Sequence, residues 1–272
     1  MEDIRVTNNN DIKYKKLRRF NGIMGAFHFI QATFMLVYGL LDDTISAFKL
    51  PVTTDFLELV DIGGGDFALL PATETLFEFP LGPITSGFLY MSAIAHFLIV
   101  MPGINDFYNR KISEGINYFR WFEYALSSSL MIVLIAMNFG LYNLGSLIML
   151  IALNAVMNLL GLMMEIHNQT TEKTNWAAFN IGVFAGLIPW IVIAVYIAGI
   201  GGGVSEAPWF VWAILGGYFL FFNTFPINMF LQYKSVGKWK DYIFGERMYI
   251  YLSLFSKSLL AWLVFAGTLR PV

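Results

Sequence analysis

The residue best placed to do chemistry in this sequence is a lysine inside an apolar segment. Lys257 lies near the middle of residues 249–265, which read YIYLSLFSKSLLAWLVF. A lysine at the centre of a membrane helix costs about 2.5 to 3.5 kcal/mol on insertion scales. A cost of this size indicates that the amine is neutralised, paired with an acid or modified covalently.

One acid is available at a comparable position. Glu123 is the only carboxylate deep in any of the long apolar segments. Three interpretations of Glu123 and Lys257 stay open at this point. They could form a structural ion pair, which is costly when buried but does occur. The lysine could carry a covalent group, or the two could form an ion-coupled transport site.

The composition indicates a polytopic membrane protein. Of 272 residues, 57% are hydrophobic and only 13% are charged, whereas a soluble domain is about a quarter charged. The mean hydropathy is +0.62. There is no cysteine, which excludes disulfides and thiol chemistry. We expect no enzymatic activity, no metal site and no nucleic-acid partner.

Seven apolar segments are long enough to cross about 30 Å of hydrocarbon as helices. Helices are required because the backbone must satisfy its own hydrogen bonds in lipid. The sequence therefore predicts an all-α seven-transmembrane-helix bundle forming a single domain over residues 1–272. The predicted spans are residues 20–41, 81–104, 115–138, 141–164, 176–199, 208–233 and 246–269.

The basic residues predict the orientation of these spans. Most of the 17 lysines and arginines fall on one side if the N-terminus is inside. Because cytoplasmic loops carry the excess of basic residues, we expect a cytoplasmic N-terminus and an extracellular C-terminus in the cell membrane.

The largest connection, residues 42–80, lies on the predicted outer side and is acidic. Residues 56–62, the turn sequence Gly63-Gly64-Gly65-Asp66 and residues 67–70 predict a short β-hairpin. The hairpin could be a solvated cap over the helix ends, or a strand that contacts a partner.

Four polar side chains from four spans fall in one layer. Counting about 1.5 Å per residue from the inner span ends puts Glu123, Lys257, His28 and His96 about 12 to 17 Å below the inner surface. The outer halves of the spans contain no Asp, Glu, His, Lys or Arg. A proton relay needs titratable groups or ordered water, so the sequence offers no onward carrier on the outer side. The side chains close enough in sequence to join this layer are Asn21, Gln31, Ser253 and Tyr124.

The arrangement resembles the heliorhodopsin family, retinal-binding relatives of the microbial rhodopsins with inverted topology. The similarity extends over about residues 15–269. It is carried by the inner N-terminus together with Asn21, Phe27-His28, Gln31, His96-Phe97, Arg120-Trp121-x-Glu123-Tyr124-x-Leu126-Ser127-Ser128-Ser129, Asn154, Pro189-Trp190, Phe222, Phe225 and Ser253-x-x-x-Lys257-Ser258-x-x-Ala261-Trp262.

The resemblance implies a role for each matched position. Lys257 would carry all-trans-retinal as a protonated Schiff base, Glu123 would be its counterion, and Ser253 would form a hydrogen bond near the linkage. An inner polar cavity would contain His28 and His96, the candidate proton acceptors, with Gln31, Asn21 and Tyr124. The polyene would be lined by Ser127, Ser129, Met131, Asn154, Met157, Gly161, Pro189, Phe222 and Trp262.

Two departures argue against a proton pump. Pumping relatives have Trp-x-x-Tyr-Pro in the sixth span, where this chain has Phe222, Phe225 and Pro226. They also have a second carboxylate in the third span, where this chain has Leu134. The resemblance further implies that the outer strand pair joins two protomers of a homodimer.

We therefore expect a non-pumping light sensor whose slow photocycle is sensed by an inner-side protein through the basic loops 105–114 and 234–247. A light-driven proton channel or transporter is one alternative. A retinal-free, ion-coupled solute transporter is another.

Overall fold

A computed structural model describes residues 2–199 and 209–269, and it shows a bundle of long apolar helices with one β-hairpin. Within these residues, seven helices are long and apolar enough to cross a membrane, as the sequence predicts. In chain order the elements are α1 (Glu2–Leu41), α2 (Asp43–Ala47), β1 (Lys49–Gly63), β2 (Asp66–Pro80), α3 (Leu81–Val100), α4 (Ile104–Ser113), α5 (Tyr118–Asn138), α6 (Leu144–His167), α7 (Ala177–Gly199), α8 (Trp209–Tyr233) and α9 (Tyr242–Thr268).

The helix ends follow local capping chemistry. Helix α3 ends at Val100 and not at the predicted residue 104, because Met101 is extended, as is usual for a residue that precedes a proline. Helix α6 begins after Asn143, whose side chain accepts a hydrogen bond from the Ser146 amide at 3.0 Å, the usual N-cap arrangement. The predicted start of the sixth span at residue 208, and residues 1 and 270–272 of the predicted domain, lie outside the described residues.

The β-hairpin is antiparallel and longer than predicted, with fifteen residues in each strand. The sequence indicated only the part of the hairpin near the turn, because Pro51 and Pro71 interrupt the parts farther from it and proline argues against a strand. A two-stranded sheet tolerates both prolines, since each strand has a free edge. Gly64 and Gly65 form the turn with φ of +71° and +90°, a backbone region that favours glycine.

The hairpin is attached to the bundle at the start of α6. The Thr53 amide donates to the Tyr142 carbonyl at 2.9 Å. The Asn143 Nδ2 group donates to Asp55 Oδ2 at 2.8 Å. These contacts hold the base of the hairpin against the connection between α5 and α6.

The prediction that residues 105–114 form a loop is wrong, because most of these residues lie in helix α4. Tyr108 and Ile112 are buried one helical turn apart and pack with Leu17 and Ile250. The basic residues Arg110 and Lys111 lie in the last turn of α4. In the second basic segment, residues Gly237–Lys240 form a short 3-10 helix before α9.

The half of the bundle next to the hairpin has an apolar core. Its buried side chains include Met35, Phe88, Leu134 and Phe265. The buried ion pairs lie toward the opposite end, where they come from α5, α6 and α9.

Candidate functional site

The candidate site is built around the buried ion pair of Lys257 and Glu123. The Lys257 Nζ atom donates to Glu123 Oε1 at 2.5 Å and to Ser92 Oγ at 2.6 Å. The Ser92 hydroxyl donates in turn to Glu123 Oε1 at 2.7 Å. Lys257 is only 2% exposed. The structure thus brings together a cation and its acid from α9 and α5, with a hydroxyl from α3 between them.

Sequence reasoning missed Ser92. It lies four residues before His96, and residues with this spacing share one face of a helix. That spacing was the signal that could have placed Ser92 in the polar layer.

An aromatic ring covers the amine on another side. The Lys257 Nζ atom lies 5.1 Å from the centroid of the Tyr124 ring, a distance at which a cation is attracted to the ring face. The Tyr124 hydroxyl donates to the Tyr249 carbonyl at 3.1 Å, which holds the ring in place.

The two histidines lie side by side near this ion pair. Their rings are nearly parallel, with centroids 5.7 Å apart. His96 Nδ1 is 2.8 Å from Asn21 Oδ1; since the amide oxygen only accepts, Nδ1 carries the proton. His28 is fully buried, and neither of its ring nitrogens has a hydrogen-bond partner within residues 2–199 and 209–269.

A small polar cavity adjoins the pair. Asn21, His96, Tyr124 and Ser253 line it together with Ser92 and Glu123. His28 and Gln31, which were predicted for this cavity, are not among its lining residues. The Gln31 side chain lies against Trp262 instead, since its amide oxygen accepts a hydrogen bond from Trp262 Nε1 at 3.0 Å.

A larger, mostly apolar cavity lies on the other side of Tyr124, with an empty volume of about 990 Å³, part of it open to the outside. Lys257 is in the wall. A Cβ atom at Gly186 would lie 2.5 Å from Met157 Sδ, so this glycine leaves room for the Met157 side chain in the cavity wall. Of the residues predicted to line a polyene, the cavity includes Met131, Met157, Gly161 and Phe222.

The other predicted lining residues lie outside this cavity. Those not in its wall are Ser127, Ser129, Asn154, Pro189 and Trp262. Their neighbours Ser128 and Trp190 are in the wall instead. Asn154 supports Ser128 from behind, donating to its Oγ at 2.7 Å. Trp262 is 42% exposed on the bundle surface. A mostly apolar cavity with one amine in its wall fits a long apolar aldehyde such as retinal.

Comparison with known families decides the identity of the fold. The heliorhodopsin family model matches residues 17–269. The chain belongs to the heliorhodopsin family. Membership implies a retinal-binding rhodopsin, and the family consists generally of non-enzymatic photoreceptors. This heliorhodopsin is a multi-pass membrane protein with seven candidate spans. A search of curated proteins finds no match.

This heliorhodopsin has a second buried charge cluster that the sequence did not predict. Arg120 donates to Glu165 through Nη2 and to Glu246 through Nη1, and all three side chains are 2–3% exposed. The cluster joins α5, α6 and α9. Each of the three residues lies near the inner end of its predicted span, which was the available signal.

Neutral donors complete this cluster. The backbone N–H of Asn117 donates to Glu165 at 2.9 Å, and the Trp121 indole donates to the same carboxylate at 2.7 Å. Burial, and then the negative charge of Glu246, raise the pKa of Tyr108 well above its ordinary value. The Tyr108 hydroxyl therefore stays protonated and donates to Glu246 at 3.4 Å. The residues that the structure describes contain no group of three or more side chains suited to hold a metal ion.

Proposed function

We propose that this heliorhodopsin is a light-sensing photoreceptor that binds all-trans-retinal covalently at Lys257 and transports no ion. The observation that carries the proposal is the contact between Lys257 and Glu123 at the wall of an apolar cavity. A buried amine paired with one acid, beside a space lined by methionine and aromatic side chains, supplies what a covalent cationic chromophore requires.

The chain's residues have distinct roles in this proposal. Lys257 would hold retinal covalently, the amine and the aldehyde losing one water, and the linkage would keep the positive charge of the lysine. Glu123 balances that charge at hydrogen-bond distance, and Ser92 orients the carboxylate. The Ser253 hydroxyl, buried and without a partner within residues 2–199 and 209–269, is available for a hydrogen bond near the linkage. Bound retinal supplies absorption of visible light and isomerisation.

Proton movement stays on the inner side. The polar cavity that contains His96 and Asn21 would receive a proton released from the linkage in the light. His96 and the adjacent His28 are the candidate acceptors. The hydrogen bond of His96 Nδ1 to Asn21 leaves Nε2 as its accepting nitrogen.

The absence of pumping rests on the outer half of the bundle. Its core side chains, such as Phe88, Leu134 and Phe265, are apolar. The outer parts of the spans contain no Asp, Glu, His, Lys or Arg in the sequence. After a proton is released inward, the outer half therefore offers no titratable group that could supply a replacement proton to the linkage.

The basic residues of α4 and of residues 234–247 are proposed to face the cytoplasm and to contact an inner-side signalling protein. The excess of basic residues at this end of the bundle supports a cytoplasmic N-terminus and an extracellular C-terminus. Loss of a light-dependent interaction after replacement of Lys238 and Lys240 would support the contact; an unchanged interaction would contradict it.

A homodimer is proposed through the hairpin. Phe56, Leu59, Phe67 and Leu69 are each 44–63% exposed on its strands. Exposed apolar side chains on a projecting strand pair favour contact with a second copy.

The decisive experiment is a visible spectrum of the protein after addition of all-trans-retinal, comparing wild type with Lys257→Ala. We expect a coloured wild-type pigment, a colourless Lys257→Ala variant and a coloured Lys111→Ala control. Borohydride under illumination is expected to leave a retinyl group on Lys257. A colourless wild type would favour the solute transporter. A stationary light-driven current across a planar bilayer would contradict the non-pumping assignment.

A further inference from the structure

Two polar groups in the wall of the apolar cavity have no partner. Trp190 of α7 and Tyr218 of α8 both line it. Trp190 Nε1 and the Tyr218 hydroxyl are buried, and neither forms a hydrogen bond within residues 2–199 and 209–269. Buried polar groups are nearly always paired in folded proteins, so these two groups in one cavity wall are available to pair with a ligand.

The two groups belong to one end of the cavity. Their rings are 5.5 Å apart, and both pack on Phe222, with centroids at 5.6 and 5.8 Å. Helix α7 packs mainly on α6, whereas Lys257 lies on α9. Trp190 and Tyr218 would contact the ring of a chromophore that is attached to Lys257 and extends toward α7.

The chemistry of the two groups specifies an acceptor. An indole N–H can only donate, and a phenol O–H can donate or accept. Met157, Gly186 and Phe222 in the wall offer no strong acceptor, and the wall's acceptors Ser128, Asn158, Asn223 and Ser256 form no hydrogen bond with either group within the described residues. A hydrocarbon ring would leave both donors unpaired, whereas a carbonyl oxygen on that ring has two lone pairs and could accept from both.

We propose that this cavity prefers a retinal whose ring carries an oxygen acceptor, with Tyr218 and Trp190 as the donors that select it. This inference rests on the proposed attachment of retinal at Lys257 and names the ring chemistry that the same site favours. Tyr218 and Trp190 are then specificity-determining residues for the chromophore.

The test is a competition between two chromophores. Limiting protein is equilibrated with an equimolar mixture of all-trans-retinal and all-trans-4-oxoretinal, the excess is removed, and the bound chromophores are released with hydroxylamine and quantified as oximes by chromatography. Because a net hydrogen bond changes a binding constant about 3- to 10-fold, the bound ratio of 4-oxoretinal to retinal is expected to fall by this factor in Tyr218→Phe. Trp190→Phe is expected to lower the ratio in the same direction.

A matched control is available on α3. The Tyr90 hydroxyl is 3.0 Å from Thr33 Oγ1, and Tyr90 does not line the cavity; Tyr90→Phe is therefore expected to keep the wild-type ratio. An equal ratio in wild type, Tyr218→Phe and Trp190→Phe would overturn the inference while leaving retinal binding intact. A wild type that forms no pigment with either chromophore would overturn the proposed function and this inference with it.

Discussion

Replacing Arg120 by methionine tests whether the Arg120–Glu165–Glu246 cluster holds α5, α6 and α9 together. Methionine keeps an unbranched apolar chain but removes the charge and all the donors. Both carboxylates would then stay buried, 2% exposed, without their cation. Removing one partner of a buried ion pair costs about 3 to 5 kcal/mol. For a chain of this size about 1 kcal/mol corresponds to about 2 °C, so we expect the apparent unfolding temperature to fall by about 6 to 10 °C.

The assay is thermal unfolding in detergent, followed by intrinsic tryptophan fluorescence at one fixed scan rate because unfolding of such proteins is often irreversible. Lys111→Met is the control. Its pair with Glu114 at 2.6 Å is partly exposed, and exposed pairs contribute about 0 to 1 kcal/mol. The control should therefore shift by no more than about 2 °C.

A rescue variant separates the charge from the packing. In Arg120→Met/Glu165→Gln/Glu246→Gln the cluster is neutral, and neighbours such as Asn117 and Trp121 can still form hydrogen bonds. We expect it to recover more than half of the lost unfolding temperature. The reasoning is refuted if Arg120→Met unfolds at the temperature of the Lys111→Met control, or if the neutral variant is no more stable than Arg120→Met.

Three further substitutions test other parts of the molecule. Glu123→Gln should shift the visible band of the reconstituted pigment to longer wavelength, because the negative charge beside the linkage is lost; an unchanged spectrum at neutral pH would mean another counterion. Gly186→Ala should slow pigment formation severalfold, because its Cβ would meet Met157, while Gly216→Ala, with no atom within 4 Å of its Cβ, should not. Asp55→Ala should speed amide exchange at Thr53 by loosening the hairpin from Asn143; exchange rates equal to those in Glu58→Ala would contradict this.

The sequence predicted the fold well because membrane spans are set by composition and length. Seven apolar segments predicted seven helices, and the glycine-rich turn predicted the hairpin at the correct position. The outer parts of the strands were missed because Pro51 and Pro71 oppose strand formation in local reasoning. In the structure these parts are strands because they pair with the residues opposite them, and the pattern of a single sequence does not show that pairing.

The sequence predicted how deep in the membrane the site residues lie, but only partly which helix face each side chain occupies. Counting residues gives the level of a side chain in the membrane, which brought Lys257 and Glu123 to the same layer. Each helical residue also turns by about 100°, so an error of one position changes the face. This explains why Ser128 lines the cavity where Ser127 and Ser129 were expected.

The two buried charge clusters together explain why Glu123 pairs with Lys257 and not with Arg120. Arg120 and Glu123 are three residues apart and share one face of α5, so the guanidinium could in principle have paired with Glu123. It is instead bound by Glu165 and Glu246, and within residues 2–199 and 209–269 the ion-pair partner of Glu123 is Lys257. A neutral group at Lys257 would leave Glu123 as a buried acid without a counter-charge. The ion pair therefore favours a proposed linkage that is positively charged at rest, and loss of that charge in the light would change the forces on α3, α5 and α9 together.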